Sequence, residues 1–121
     1  MWFRRDLRAF DNAALHHALK SCQQVHCVFV YDREILDRLP KQDRRVEFIG
    51  DAITELDAQL ALLAGKHGVK GAGLVVQHAM ASDAIPELCQ QLSAAAVFAN
   101  HDYEPQALAR DAKIQALLEA Q

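Results

Sequence analysis

No stretch of this 121-residue chain approaches the ~20 consecutive apolar residues that a membrane-spanning helix requires. The amino end also lacks the basic-then-apolar pattern of a secretory leader. Both absences set the expectation of a cytoplasmic protein with no membrane partner. Cysteine is scarce: Cys22, Cys27 and Cys89 form no CxxC pair and leave an odd thiol, which argues against a disulfide framework. The six histidines fall at no zinc-ligand spacing with cysteines or carboxylates. Four of the five glycines, Gly65, Gly68, Gly71 and Gly73, crowd into one turn, so neither GxGxxG nor GxxxxGK[ST] occurs. Ser21, Ser82 and Ser93 stand in no nucleophile motif. Basic charge is not in excess either. A net charge of −3 excludes nucleic-acid binding by bulk electrostatics, which needs a strongly basic surface.

What is present is ordinary globular material, 51% hydrophobic and 24% charged, in one domain over residues 1–121. A chain of this size buries roughly two-thirds of its unfolded surface. It alternates strand and helix throughout. Val25–Tyr31, Gly73–Gln77 and Ala95–Asn100 read as nearly continuous apolar strands covered on both faces. A first helix, capped by Asp11, buries Leu15, Ala18, Leu19 and Cys22. The longest runs from about Asp43 to Ala64, with Val46, Ile49, Ile53, Leu56, Leu60 and Leu63 alternating steps of three and four until Gly65 stops it. That spacing also suits a coiled coil, but Phe48, Ala52 and Leu62 widen the face toward a sheet-packed helix. A third helix starts near Ser82 or Asp83, tolerates Pro86 in its first turn and buries Ile85, Leu88 and Leu92. A fourth begins at Pro105 and carries Ile114, Leu117 and Leu118. No internal repeat or linker interrupts the pattern, so the expected fold is α/β, a Rossmann-like three-layer structure on a parallel sheet.

The most specific segment is the first, Met1-Trp2-Phe3-Arg4-Arg5-Asp6-Leu7-Arg8, followed by Asp11-Asn12 at a helix start. It places three arginines at the carboxyl end of a strand, where open α/β sheets bind ligands. Guanidinium groups there can pair phosphate or carboxylate oxygens bidentately, or form a structural cluster neutralised by Asp6 and Asp11. A second segment, Asn100-His101-Asp102-Tyr103-Glu104-Pro105, follows the last strand. Asp102 and Glu104 can accept hydrogen bonds from a ligand or cap the next helix, one in each role.

Both segments resemble the N-terminal domain of the DNA photolyase and cryptochrome family, with its Trp-Phe-Arg-Arg-Asp-Leu-Arg and Asn-x-Asp-Tyr-Glu-Pro runs. Asp32-Arg33-Glu34-Ile35-Leu36 is similar to that family's Asp-Pro-Glu-Ile-Leu, with Arg33 in place of proline. Arg45 and Phe48 are similar to its Arg-x-x-Phe. The resemblance implies a sheet of order 3-2-1-4-5, with residues upstream of Met1 extending the first strand and a fifth strand beyond the chain. It implies a light-harvesting pigment at the carboxyl edge, with Ile35 and Leu36 lining a slot for a flat ring and Arg45 pointing toward it. Asp6 and Arg8 would contribute from the first loop, and Asp102, Glu104 and Gln106 from the last. Folate-binding members often carry an Asn-Glu pair where this chain has Gln106 and Ala107, so a deazaflavin or flavin antenna is favoured over methenyltetrahydrofolate.

By this resemblance the chain is the antenna domain of a deoxyribodipyrimidine photolyase. Excitation would pass to FAD in a helical domain that also holds UV-damaged DNA, and the chain by itself would not be catalytic. A cryptochrome photoreceptor domain and a stand-alone nucleotide-binding protein are the alternatives. A fourth strand without an outer neighbour would also favour a homo-oligomer through its edge.

Overall fold

The computed structural model describes residues 1–40 and 42–121. Strands β1 (Trp2–Phe3), β2 (Cys27–Asp32) and β3 (Leu74–Ala79) form a parallel sheet in the order β1-β2-β3. Trp2 pairs with Val28, and the β2–β3 register runs from Cys27 opposite Leu74 to Asp32 opposite Ala79. Helices α1 (Ala13–Ser21), α2 (Arg33–Leu36), α3 (Arg44–Lys66), α4 (Ala81–Gln91) and α5 (Pro105–Glu119) connect and cover it.

Because side chains alternate across a strand, successive residues of β1 feed different cores. Phe3 joins Leu15, Phe29, Ile53, Leu56 and Leu60 on the α1/α3 face. Trp2 joins Val28, Val30, Ile85, Leu88 and Ile114 on the α4/α5 face. Two apolar layers on one sheet give the expected three-layer α/β fold.

Several boundaries differ from the sequence reading, each for a local reason. Residues 95–100 form no regular strand. They lie beside β1 through one backbone bond, from the Trp2 N–H to the Phe98 carbonyl at 2.8 Å. Two consecutive alanines favour pairing weakly, and the segment has a neighbour on one side only. The cap of α1 is Asn12, whose Oδ1 accepts from the Leu15 N–H, while Asp11 takes a left-handed φ of 46°. Helix α3 runs through Gly65, and the left-handed positions fall later, at Gly68 (φ 75°) and Gly71 (φ 73°). Helix α4 starts at Ala81, which moves Pro86 inside it rather than into its first turn. Phe48, Leu62, Leu19, Leu92 and Leu117 face outward, as do Val75 and Val76 on the edge strand β3. A Cβ at Gly73 would come within 2.7 Å of Asp57 Oδ1, so a larger residue there would displace the acceptor for the Leu74 N–H.

Candidate functional site

At the carboxyl ends of β1 and β2 lies a cavity of about 530 Å³, walled by α2, the residues before α5 and the first half of α5. Its apolar surface comes from Trp2, Phe29, Val30, Ile35, Leu36 and Ile49. Asp32, the last residue of β2, organises this corner. Its Oδ1 accepts from the Glu34 N–H at 3.1 Å, opening α2, and from the Ala81 N–H at 3.3 Å, opening α4. Its Oδ2 pairs with Arg110 Nη1 of α5 at 3.3 Å. Both side chains are nearly dry, 5% and 10% exposed. Such a pair is held by its hydrogen bonds and would be costly to break from one side.

The arginines at the end of β1 divide their tasks. Arg4 reaches Asp111 of α5 and the Asn100 carbonyl. Arg110 also contacts Asp111, at 3.4 Å. The guanidinium carbons of Arg4 and Arg110 lie over the Trp2 ring, 4.9 and 5.1 Å from its centroid. Arg5 pairs with Asp102 at 3.4 Å and Glu104 at 2.7 Å. Its hydrogen bond to Glu104 raises the Arg5 pKa above the ordinary guanidinium value. The Glu104 N–H, donated to Asp102 Oδ1, holds the Asp102 carboxyl below its usual range, and Arg5 adds to the effect. Glu104 stands at the N-cap of α5 but makes no side-chain capping bond. Neither carboxylate caps the helix; both answer Arg5 and both line the cavity. The neutralising partners of Arg4 and Arg5 are therefore Asp111, Asp102 and Glu104, not the Asp6 and Asp11 considered from the sequence.

Of the residues that the resemblance nominated, Ile35, Leu36, Asp102, Glu104 and Gln106 meet in the cavity wall. Asp6, Arg8 and Arg45 lie off it. Asp6 accepts from the Arg4 N–H at 3.3 Å and from the side chains of Asn12 and Asn100. Arg8 binds the Asp11 carbonyl at 3.1 and 3.0 Å. Arg45 is exposed and grips Asp43, the N-cap of α3, at 2.6 Å. The sequence reading did not find Asp32, Arg110 and Lys113. Asp32 opens the Asp32–Leu36 motif, but its partner lies 78 residues away, a separation that no spacing rule detects.

The volume lies in the range of small-molecule sites, which combine an apolar lining with a few placed polar groups. Lys113 and Arg38 line the cavity and make no ion pair among the described residues, so they remain available to an anionic tail. Among the described residues no cluster of three potential metal ligands occurs, and no helix is long and apolar enough to cross a membrane.

Comparison with known proteins agrees in extent. The family model described as DNA photolyase matches residues 1–121. A deoxyribodipyrimidine photo-lyase of Vibrio cholerae is 34% identical over 121 residues, all of this chain and 25% of that protein. One from Synechococcus is 32% identical over 117 residues, 97% of this chain and 23% of the relative. Cryptochrome-1 of Gallus gallus is 30% identical over 116 residues, 96% of this chain and 18% of its own length. The chain thus spans a quarter or less of these curated relatives.

Proposed function

The chain belongs to the DNA photolyase family, and we propose that its cavity holds a light-harvesting pigment. The observation that carries this is the meeting of Ile35 and Leu36 with Trp2 and Phe29 around about 530 Å³, rimmed by Asp102, Glu104 and Gln106. When bound, the pigment supplies absorption of near-UV or blue light and passes excitation to FAD in a helical domain. The chain's own contribution is positional. Apolar walls fix the ring plane and exclude water that would quench the excited state, and the rim carboxylates accept from ring N–H or sugar hydroxyls. No proton needs moving: Asp32, Asp102 and Glu104 are each held by an arginine, and Lys113 and Arg38 are left for an anionic tail.

A deazaflavin or flavin fits better than methenyltetrahydrofolate. At the position where folate-binding members present a glutamate, this cavity presents Ala107, which cannot accept a hydrogen bond. Reduced FAD would then split pyrimidine dimers in UV-damaged DNA bound through the helical domain, in a cytoplasmic protein. The match to cryptochrome-1 supports a second reading, in which the same pigment site serves signalling.

Trp2 is the only tryptophan, so its fluorescence reports occupancy of the cavity. Titration with a deazaflavin, FMN and methenyltetrahydrofolate should quench it saturably, with the folate weakest. Ile35→Glu, which puts a charge against the ring, should weaken binding by about tenfold or more, ~1.4 kcal/mol. Absence of saturable quenching by all three would remove the pigment site, and tightest binding by the folate would reverse the preference of type.

A further inference from the structure

An indole in the wall of a pigment site poses a chemical problem. A photoexcited flavin-type ring is a strong oxidant, and one electron can pass to it from an adjacent indole. That transfer leaves an indole radical cation and a pigment reduced by one electron. The electron's return then releases the absorbed energy as heat, and none reaches an acceptor. Trp2 lines the cavity with the 6% of its surface that stays exposed, which puts the indole within electron-transfer reach of an occupant. Tyr31 also lines the cavity, but its oxidation requires loss of the phenol proton, and its hydroxyl donates to no base among the described residues.

Resting on the pigment reading, we infer that Arg4 and Arg110 keep Trp2 electronically silent by making its indole hard to oxidise. Their guanidinium carbons lie 4.9 and 5.1 Å from the ring centroid, inside the ~6 Å range in which a cation is attracted to an aromatic face. That attraction holds only for the neutral ring. Removing an electron turns it into repulsion between like charges, so oxidation is opposed by both cations. The paired carboxylates of Asp111 and Asp32 offset part of this field, but it is the guanidiniums that lie over the ring, and with each arginine side chain 10% exposed little water screens them. Asp111 contacts both guanidiniums and Asp32 contacts that of Arg110, which fixes the cations in place. A purely structural arginine cluster would need no tryptophan beneath it, whereas this one sits on the only tryptophan of the chain.

The test removes one cation without stranding its carboxylate. In Arg110→Gln combined with Asp32→Asn, one-electron oxidation of Trp2 in the pigment-free chain, initiated by pulse-generated azide radicals, should be about fivefold faster or more. Arg110→Lys, which keeps the charge, should stay near the wild-type rate. With FMN bound, the fluorescence lifetime should fall at least about twofold in the double variant and recover when Trp2→Phe is added, since the electron donor is then gone. If the double variant fails to fold, 5-methoxytryptophan at position 2, an easier electron donor on an unchanged scaffold, should shorten the FMN lifetime in the same way. Unchanged oxidation kinetics in the pigment-free double variant, or an FMN lifetime indifferent to methoxytryptophan, overturns the inference. Failure of FMN and the deazaflavin to bind the wild-type chain overturns the pigment reading instead, and the pigment-free kinetics still decide the tuning of Trp2.

Discussion

Asn100 shows how a single polar side chain can join distant loops. Its Nδ2 donates to Asp6 and, at 2.9 Å, to Asn12 Oδ1; its Oδ1 accepts the Ala14 N–H at 3.0 Å; its carbonyl receives Arg4. Asn100→Ala strands several partly buried partners at ~1–3 kcal/mol each, so a loss of roughly 3 kcal/mol is expected in urea unfolding. A loss below about 0.5 kcal/mol would mean that water replaces the clasp. Asp43 offers a residue-scale test in pH. The Arg45 side chain, and then the Arg45 N–H, bring its pKa down from 3.8 to about 2. The folded form therefore binds its proton less readily than the unfolded chain. Stability from this pair is complete above the unfolded pKa and is lost as pH falls from about 4 toward 2. Arg45→Ala should raise the Asp43 titration observed by NMR toward the ordinary range while leaving FMN affinity unchanged, because Arg45 lies off the cavity wall. At this scale the sequence was half legible. Ile35, Leu36, Asp102 and Glu104, which the family resemblance nominates from two short motifs, line the cavity. The partners that set their surroundings, Arg110 and Asp111, come from a helix whose pattern announces only its apolar side.

Helix α3 tests how far periodicity reaches. The three-and-four spacing located it to within two residues at its far end, and Ile53, Leu56 and Leu60 are its buried stripe. The same pattern overstated the width of that stripe, since Phe48 is 76% exposed and Leu56 is wholly buried. Leu56→Ala should therefore cost about 2–5 kcal/mol by opening a cavity in a close-packed layer. Phe48→Ala, at the surface, should stay within about 0.5 kcal/mol. Equal losses in thermal or urea unfolding would restore the wider face. Residues 95–100 were less legible. Apolar composition predicts a strand, but strand geometry needs partners, and composition does not reveal how many will be present. Helix α4 departs for a related reason: the rule that favours proline in first turns puts Pro86 there, whereas the helix starts at Ala81, with Ala81 and Ser82 buried.

For the whole molecule, the decisive feature is the outer side of residues 95–100. In a parallel ladder, neighbouring residues direct their N–H and C=O groups to opposite sides. Phe98 gives its carbonyl to Trp2, and by that alternation the carbonyls of Val97 and Ala99 would turn away from β1. Among the described residues the N–H groups of Val97 and Ala99 have no backbone partner, although both residues are half-buried. Groups in that position cost ~1–3 kcal/mol each when left unpaired, and an open edge recruits another strand. In the relatives, more than two-thirds of the sequence lies outside the matched region, and any of it that covers this edge would satisfy these groups. The 121-residue chain on its own is expected to satisfy them with a second copy, edge to edge and two-fold symmetric. Sedimentation at rising concentration should show a monomer–dimer equilibrium. Val97→Pro, which deletes one outward donor and obstructs the ladder, should shift it toward monomer by about tenfold, ~1.4 kcal/mol. The same substitution should leave FMN binding intact, since Val97 is not among the residues around that cavity. A chain that stays monomeric at millimolar concentration would show that hydration suffices for this edge.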